Sequence, residues 1–209
     1  MKRLIAVLAV LTMVLGASLA AGAVSVDGDV SYLIGLGQQK GQGFAAHAQV
    51  EVMKDIFADA SFVSASFKDG EEKGPSDTLL TIGGLYRVAN EEDLQIFVGG
   101  GYAMLTHKHD EVAAVDTTDE ADKGQGQGLF GKFGFKLIPA PKFTLFADVA
   151  FAPKLKLGEG SKTLTTARAT VAYEVMENIS VQGTVKHYRV SDSDITSGIL
   201  VGGGVSVTF

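Results

Sequence analysis

The chain has no cysteine and no tryptophan among its 209 residues, and only 4 prolines. Without Cys there can be no disulfide, no thiolate metal site, no Cys nucleophile and no thiol to carry a lipid anchor. Hydrophobic residues make up 46% of the chain. Yet beyond residue 23 no apolar run approaches the ~18–20 residues of a membrane-spanning helix. Any crossing of a bilayer must therefore be made by strands.

The N-terminus reads as an export signal. Lys2 and Arg3 precede a run from Leu4 to Leu15 that only Thr12 interrupts, and small residues follow at Ser18-Leu19-Ala20 and Ala21-Gly22-Ala23. A positive start, a short apolar core and a small-residue cleavage site make residues 1–23 a signal peptide, cut after Ala20 or Ala23. Residues 24–209 are then one mature domain. Losing Lys2 and Arg3 from 18 basic residues leaves 16 against 24 acidic ones, a charge of −8. That balance disfavours nucleic acid as a partner.

The mature chain alternates by twos. Phe143, Leu145, Ala147, Val149 and Phe151 share one parity, with Thr144, Asp148, Lys154 and Lys156 on the other. Ala167, Ala169, Val171, Tyr173 and Val175 oppose Arg168, Thr170 and Glu174 in the same way. Period two over ten or more residues predicts strands with one apolar and one polar face. Ten such segments are expected, at about 26–37, 42–53, 56–67, 77–88, 94–106, 125–138, 143–157, 163–175, 179–190 and 198–209. Tight turns (54–55, 89–93, 139–142, 176–178) alternate with mostly longer polar loops (38–41, 68–76, 107–124, 158–162, 191–197). The expected fold is all-β: a closed antiparallel transmembrane barrel of about ten strands, eight being the alternative, with both termini on the tight-turn side.

A soluble barrel or sandwich would alternate too, with its apolar face inward. Three features favour the membrane form. Long charged residues sit mid-strand beside glycines, as in a crowded lumen. Tyr86, Phe143, Tyr173 and Phe209 fall at strand ends on the apolar parity, where an interfacial aromatic girdle would lie. The chain also closes on Gly204-Val205-Ser206-Val207-Thr208-Phe209, a glycine followed by alternation that ends in Phe.

That ending resembles the C-terminal assembly signal of bacterial outer-membrane proteins, and the whole mature chain resembles the small OmpA/OmpX-type barrels. The resemblance implies an outer-membrane location, tight turns and both termini in the periplasm, and a monomer. It implies as partners outer-membrane lipid and lipopolysaccharide, and the barrel-insertion machinery, which would read Gly204, Val207 and Phe209. A cell-wall-binding domain is not expected after Phe209.

Basic side chains facing hydrocarbon would cost roughly 2–4 kcal/mol at the midplane. The expected lumen charge network is therefore Glu51, Arg87, Lys132, Lys136, Asp148, Arg168, Glu174 and Lys186, joined by His47, Gln49, Gln95 and Gln182. A turn at Pro139-Ala140-Pro141 would set Lys132 directly across from Asp148. Pairing across the 176–178 turn places Arg168 beside Lys186, so Arg168 needs an acid from elsewhere. Asp59 faces either way, depending on whether the preceding turn holds two or three residues.

Other motifs carry little chemistry. Gly126-Gln127-Gly128-Leu129-Phe130-Gly131 matches GxGxxG but opens a strand, whereas a dinucleotide site needs it to open a helix. His107, His109, Asp110 and Glu111 begin an acidic loop that could hold a cation but reads as a solvated charge run. His47 and His187, both expected near the rim, and Ser191, Asp192 and Asp194 form no complete catalytic constellation. The expectation is a non-enzyme without cofactor or metal: a structural or surface-interaction barrel with a narrow, charge-lined lumen. A small porin-like channel is the alternative, and a lipid-modifying enzyme the less favoured third reading.

Overall fold

A computed structural model of the protein describes residues 25–36, 40–69, 72–108, 123–157, 160–191 and 198–209. The expected signal segment, most of the loop after His107, and Asp192 and Asp194 lie outside the described residues. Ten strands form one sheet: β1 (Val26–Leu36), β2 (Gly41–Met53), β3 (Ile56–Asp69), β4 (Glu72–Asn90) and β5 (Leu94–Lys108), then β6 (Lys123–Ala140), β7 (Phe143–Leu157), β8 (Gly160–Met176), β9 (Ile179–Val190) and β10 (Gly198–Thr208). Each strand pairs antiparallel with its neighbours in sequence, and β1 pairs with β10 to close the barrel. The count is ten, and the eight-strand alternative falls.

The strands run further into the loop end than their apolar alternation indicates. β4 starts at Glu72 rather than 77, and β8 at Gly160 rather than 163. Ladder pairing satisfies the backbone whatever the side chains, so it continues past the point where the outer wall stops being apolar. At the other end the turns are tight, and Asp55, Lys142 and Asn178 take positive φ values of 64°, 71° and 65°. A left-handed residue there completes a short hairpin turn and shifts the adjacent register by a bulge. Such irregularities flank the turns at Glu51/Met53, Leu137/Ala140 and Glu174/Met176.

One bulge corrects the sequence reading of the 139–142 turn. The turn residues are Pro141 and Lys142, with Ala140 paired to Phe143, and the ladder beyond sets Lys132 opposite Ala150 and Asp148 opposite Gly134. Lys132 and Asp148 are therefore not directly facing partners. A second irregularity, between Ala152 and Leu155, flips the end of β7. It buries Leu155 and leaves Lys154 and Lys156 exposed.

The β1–β10 seam needs close backbone approach. A side-chain carbon on Gly202 or Gly204 would run into the carbonyl oxygens of Tyr32 and Val30 respectively. Gly204 is thus required by the seam itself, whatever else reads it. The substitution Gly204→Val should prevent closure. The check is the fraction migrating as the compact, heat-modifiable species on unheated gels, expected to fall well below that of the unaltered protein.

Candidate functional site in the barrel lumen

Closure sends alternate side chains to opposite sides of the wall. The outside carries Tyr32, Ile34, Ile82, Val98, Leu129, Phe133, Val149, Phe151, Val171, Val185 and Val205, all exposed. Inside lie His47, Gln49, Glu51, Asp59, Lys132, Asp148, Arg168, Gln182 and Lys186, each less than a tenth exposed. A soluble barrel would reverse this distribution. An apolar outer wall around a charged interior suits a barrel whose solvent is hydrocarbon. The protein is a membrane-spanning β-barrel.

No family model matches the chain, and no curated protein matches it in sequence. Among solved structures it is similar to the outer-membrane protein Ail of Yersinia pestis, at 12% identity over 88% of this chain and 99% of that one, with a TM-score of 0.45. The N-terminal β-barrel domain of OprF from Pseudomonas aeruginosa matches at 12% identity, 88% and 97% coverage and a TM-score of 0.41. The β domain of the Bordetella autotransporter BrkA matches at 9% identity, 88% and 98% coverage and a TM-score of 0.47.

The lumen is stratified along the barrel axis. At mid-height, β1, β2, β3, β6, β7, β8 and β9 each deliver one ionisable residue to the same layer: Asp29, His47, Asp59, Lys132, Asp148, Arg168 and Lys186. Lys132 Nζ donates to both carboxylate oxygens of Asp59 at 2.9 Å. Asp59 also meets His47 Nε2 at 2.9 Å, and His47 Nδ1 lies 3.3 Å from Asp29 Oδ2. Arg168 stands opposite Lys186 on β9, as the 176–178 turn requires, and opposite Asp148 on β7. Asp148 is the acid it needs: Arg168 Nε donates to Oδ2 at 2.7 Å. Nη2 also comes within 2.6 Å of that oxygen, but off the hydrogen-bond direction, so this nitrogen is buried without a directional acceptor. Nη1 reaches Asp29 at 3.4 Å, and the guanidinium stacks 4.4 Å above the Phe146 ring. Gln182 donates to Asp29 and to Ser31.

The tight-turn end holds a second, looser group. Arg87 Nη2 contacts Asp55 at 2.8 Å and Glu51 at 3.2 Å, beside a small aromatic packing of Phe57 and Phe97. Lys136 reaches Asp27 at 3.5 Å. Between this group and the central network lies a cavity of about 210 Å³, lined by Asp27, Gln49, Glu51, Gln95, Lys136 and Thr144 among others. Glu174 is half-buried on the inward parity near the β8–β9 turn and makes no ion pair among the described residues.

The loop half of the lumen is different in kind. Leu33, Leu105, Leu155 and Leu200 point inward and are at most 1% exposed, with Leu79, Phe67, Phe130 and Leu164 packed around them. Apolar side chains fill the bore here, and Asp77 is the embedded charge, bonded to His107 Nδ1 at 2.6 Å and to the Tyr188 hydroxyl at 2.7 Å. Alternation predicts a polar interior throughout, so this belt was missed. Its trace in the sequence is a set of apolar doublets, Leu33-Ile34, Leu79-Leu80, Met104-Leu105, Leu129-Phe130 and Ile199-Leu200, where both faces of the wall are apolar at once. Asp29 was also missed, although it shares its parity with Ser31 against Val30 and Tyr32.

The remaining sequence candidates are dispersed. His47 sits at mid-height inside the network and not near the rim. His187 lies on the outward parity of β9, so the two histidines occupy opposite faces of the wall. The Ser191 hydroxyl accepts the Thr163 N–H across the β8–β9 edge. No group of three metal-ligating side chains occurs among the described residues. Tyr86, Phe143, Tyr173 and Phe209 are all exposed on the outer wall near the tight-turn end, with the Phe143 and Tyr173 rings 4.9 Å apart.

Removing one member of a buried pair costs about 3–5 kcal/mol, because the other charge stays behind. Asp59→Ala strands Lys132 and should lower the unfolding free energy by about that amount. In double-mutant cycles followed by urea unfolding, the coupling of Lys132 to Asp59 should exceed that of Lys132 to Asp148. The reverse order would contradict the register described above.

Proposed function

We propose that this protein is a closed outer-membrane barrel that serves as a structural or surface-interaction element rather than as a conduit. The observation that carries the reading is the apolar belt. Ten strands allow only a narrow bore, and four leucines with almost no solvent exposure occupy it across the loop half. Beneath them the ion network fills the mid-height. An ion would have to displace both layers and shed its water against hydrocarbon, which supports a non-conducting lumen.

Orientation follows from the same asymmetry. Val26 and Phe209 join at the tight-turn end through paired backbone bonds of 2.8 Å, and that end would face the periplasm with the aromatic ring of Tyr86, Phe143, Tyr173 and Phe209 at the lipid boundary. The longer loops would then project from the cell and carry any surface partner. Lipid and lipopolysaccharide would contact the outer wall, and the insertion machinery would read the β10 ending. The separated histidines favour a non-enzyme. A small diffusion channel is the second reading, favoured by the cavity at the tight-turn end.

Planar-bilayer recording tests the closed reading. The protein as isolated should be silent, and Lys132→Ala should stay silent because the belt remains. Current is expected only when Leu105, Leu155 and Leu200 are together replaced by Ala. Steady unitary steps from the unaltered protein would make it a channel.

A further inference from the structure

Lys186 is the one charge of the central network that closes no contact. It is 6% exposed, yet among the described residues its ammonium has no hydrogen bond and no ion pair within 4 Å. Its neighbours in the ladder are Arg168 on one side and Leu200 on the other, a cation and a hydrocarbon. Arg168 Nη2 is likewise buried without a directional acceptor. Both side chains border the same small cavity, of about 50 Å³, between the ion network and the apolar belt.

Two buried cationic groups with unfilled donor capacity converge there, and Lys132 borders the cavity as a third. Unmet donors in a dry interior are costly. Two carboxylates border the cavity as well: Asp148, whose Oδ2 takes Arg168, and Asp77, whose two oxygens are taken by His107 and Tyr188.

We propose that this cavity binds a single halide-sized anion, chloride being the abundant example, held by Lys186 and Arg168. Its volume suits such an ion with one or two waters, since a water needs ~10–15 Å³ on this scale. It is far below the ~300 Å³ of an organic-ligand pocket. The ion would be structural, completing the coordination of the buried cations just below the belt. The assignment rests on the mid-barrel geometry and stands whether or not the lumen conducts.

The test uses the full protein, purified from membranes in detergent, unfolded by urea and refolded in sodium chloride or sodium gluconate of equal ionic strength. Gluconate is too large for the cavity, and equal ionic strength holds surface screening constant. The midpoint should rise with chloride and saturate, as for a ligand bound only by the folded state. Lys186→Met should lose that rise. Equal midpoints in the two salts, or an undiminished chloride effect in Lys186→Met, would overturn the proposal. Should that variant fail to fold, crystals of the unaltered protein soaked in sodium bromide decide. An anomalous peak beside Lys186 supports the site, and a water there without anomalous signal refutes it.

Discussion

Backbone amides and carbonyls cannot be left unpaired in hydrocarbon, and the rest of this structure depends on that requirement. A row of antiparallel strands leaves two open edges until β1 meets β10, and in lipid an open edge is prohibitive. Closure therefore governs the placement of glycine at the seam, where backbone from Tyr32 and Val30 occupies the space of a side chain. It also decides which way every residue points. Once the sheet curls shut, one parity belongs to lipid and the other to a bore too narrow for bulk water.

The charged interior is a consequence rather than an ornament. Basic residues excluded from the lipid face must go inward, where each has lost its hydration and needs a partner. Antiparallel ladders supply some of these, as with Asp148 beside Arg168. The bore supplies others from strands remote in sequence, as with Lys132 and Asp59, which lie 73 residues apart. Near the loops the interior changes to leucine and phenylalanine, which need no polar partner. Paired charges at mid-height and hydrocarbon toward the loops line the interior of the membrane wall.

Much of the fold was legible because a wall with lipid on one face and a polar lumen on the other imposes a period of two. Ten segments, the tight turns and the aromatic residues near those turns could be read from alternation alone. Strand ends at the loop side could not, because ladder pairing continues through polar sequence. The Lys132–Asp148 pairing was misread for a local reason: a bulge beside Pro141 moves the register by two. Asp59 was undecidable for a related one: the turn is the two residues Lys54 and Asp55, but a bulge between Glu51 and Met53 shifts the register by one and sets Asp59 inward, opposite Gln49.

By itself, then, the sequence determined that the chain makes membrane-spanning strands, roughly where each begins, and which parity faces lipid. Those properties are local: they depend on the order of polar and apolar residues within a dozen positions. Only the tertiary structure decided which charges meet across the bore, that Lys186 stands beside Arg168 with no ion pair among the described residues, and that leucine packs the loop half. These depend on the closing of the barrel, which brings distant strands face to face through side-chain lengths and bulges that no single segment encodes.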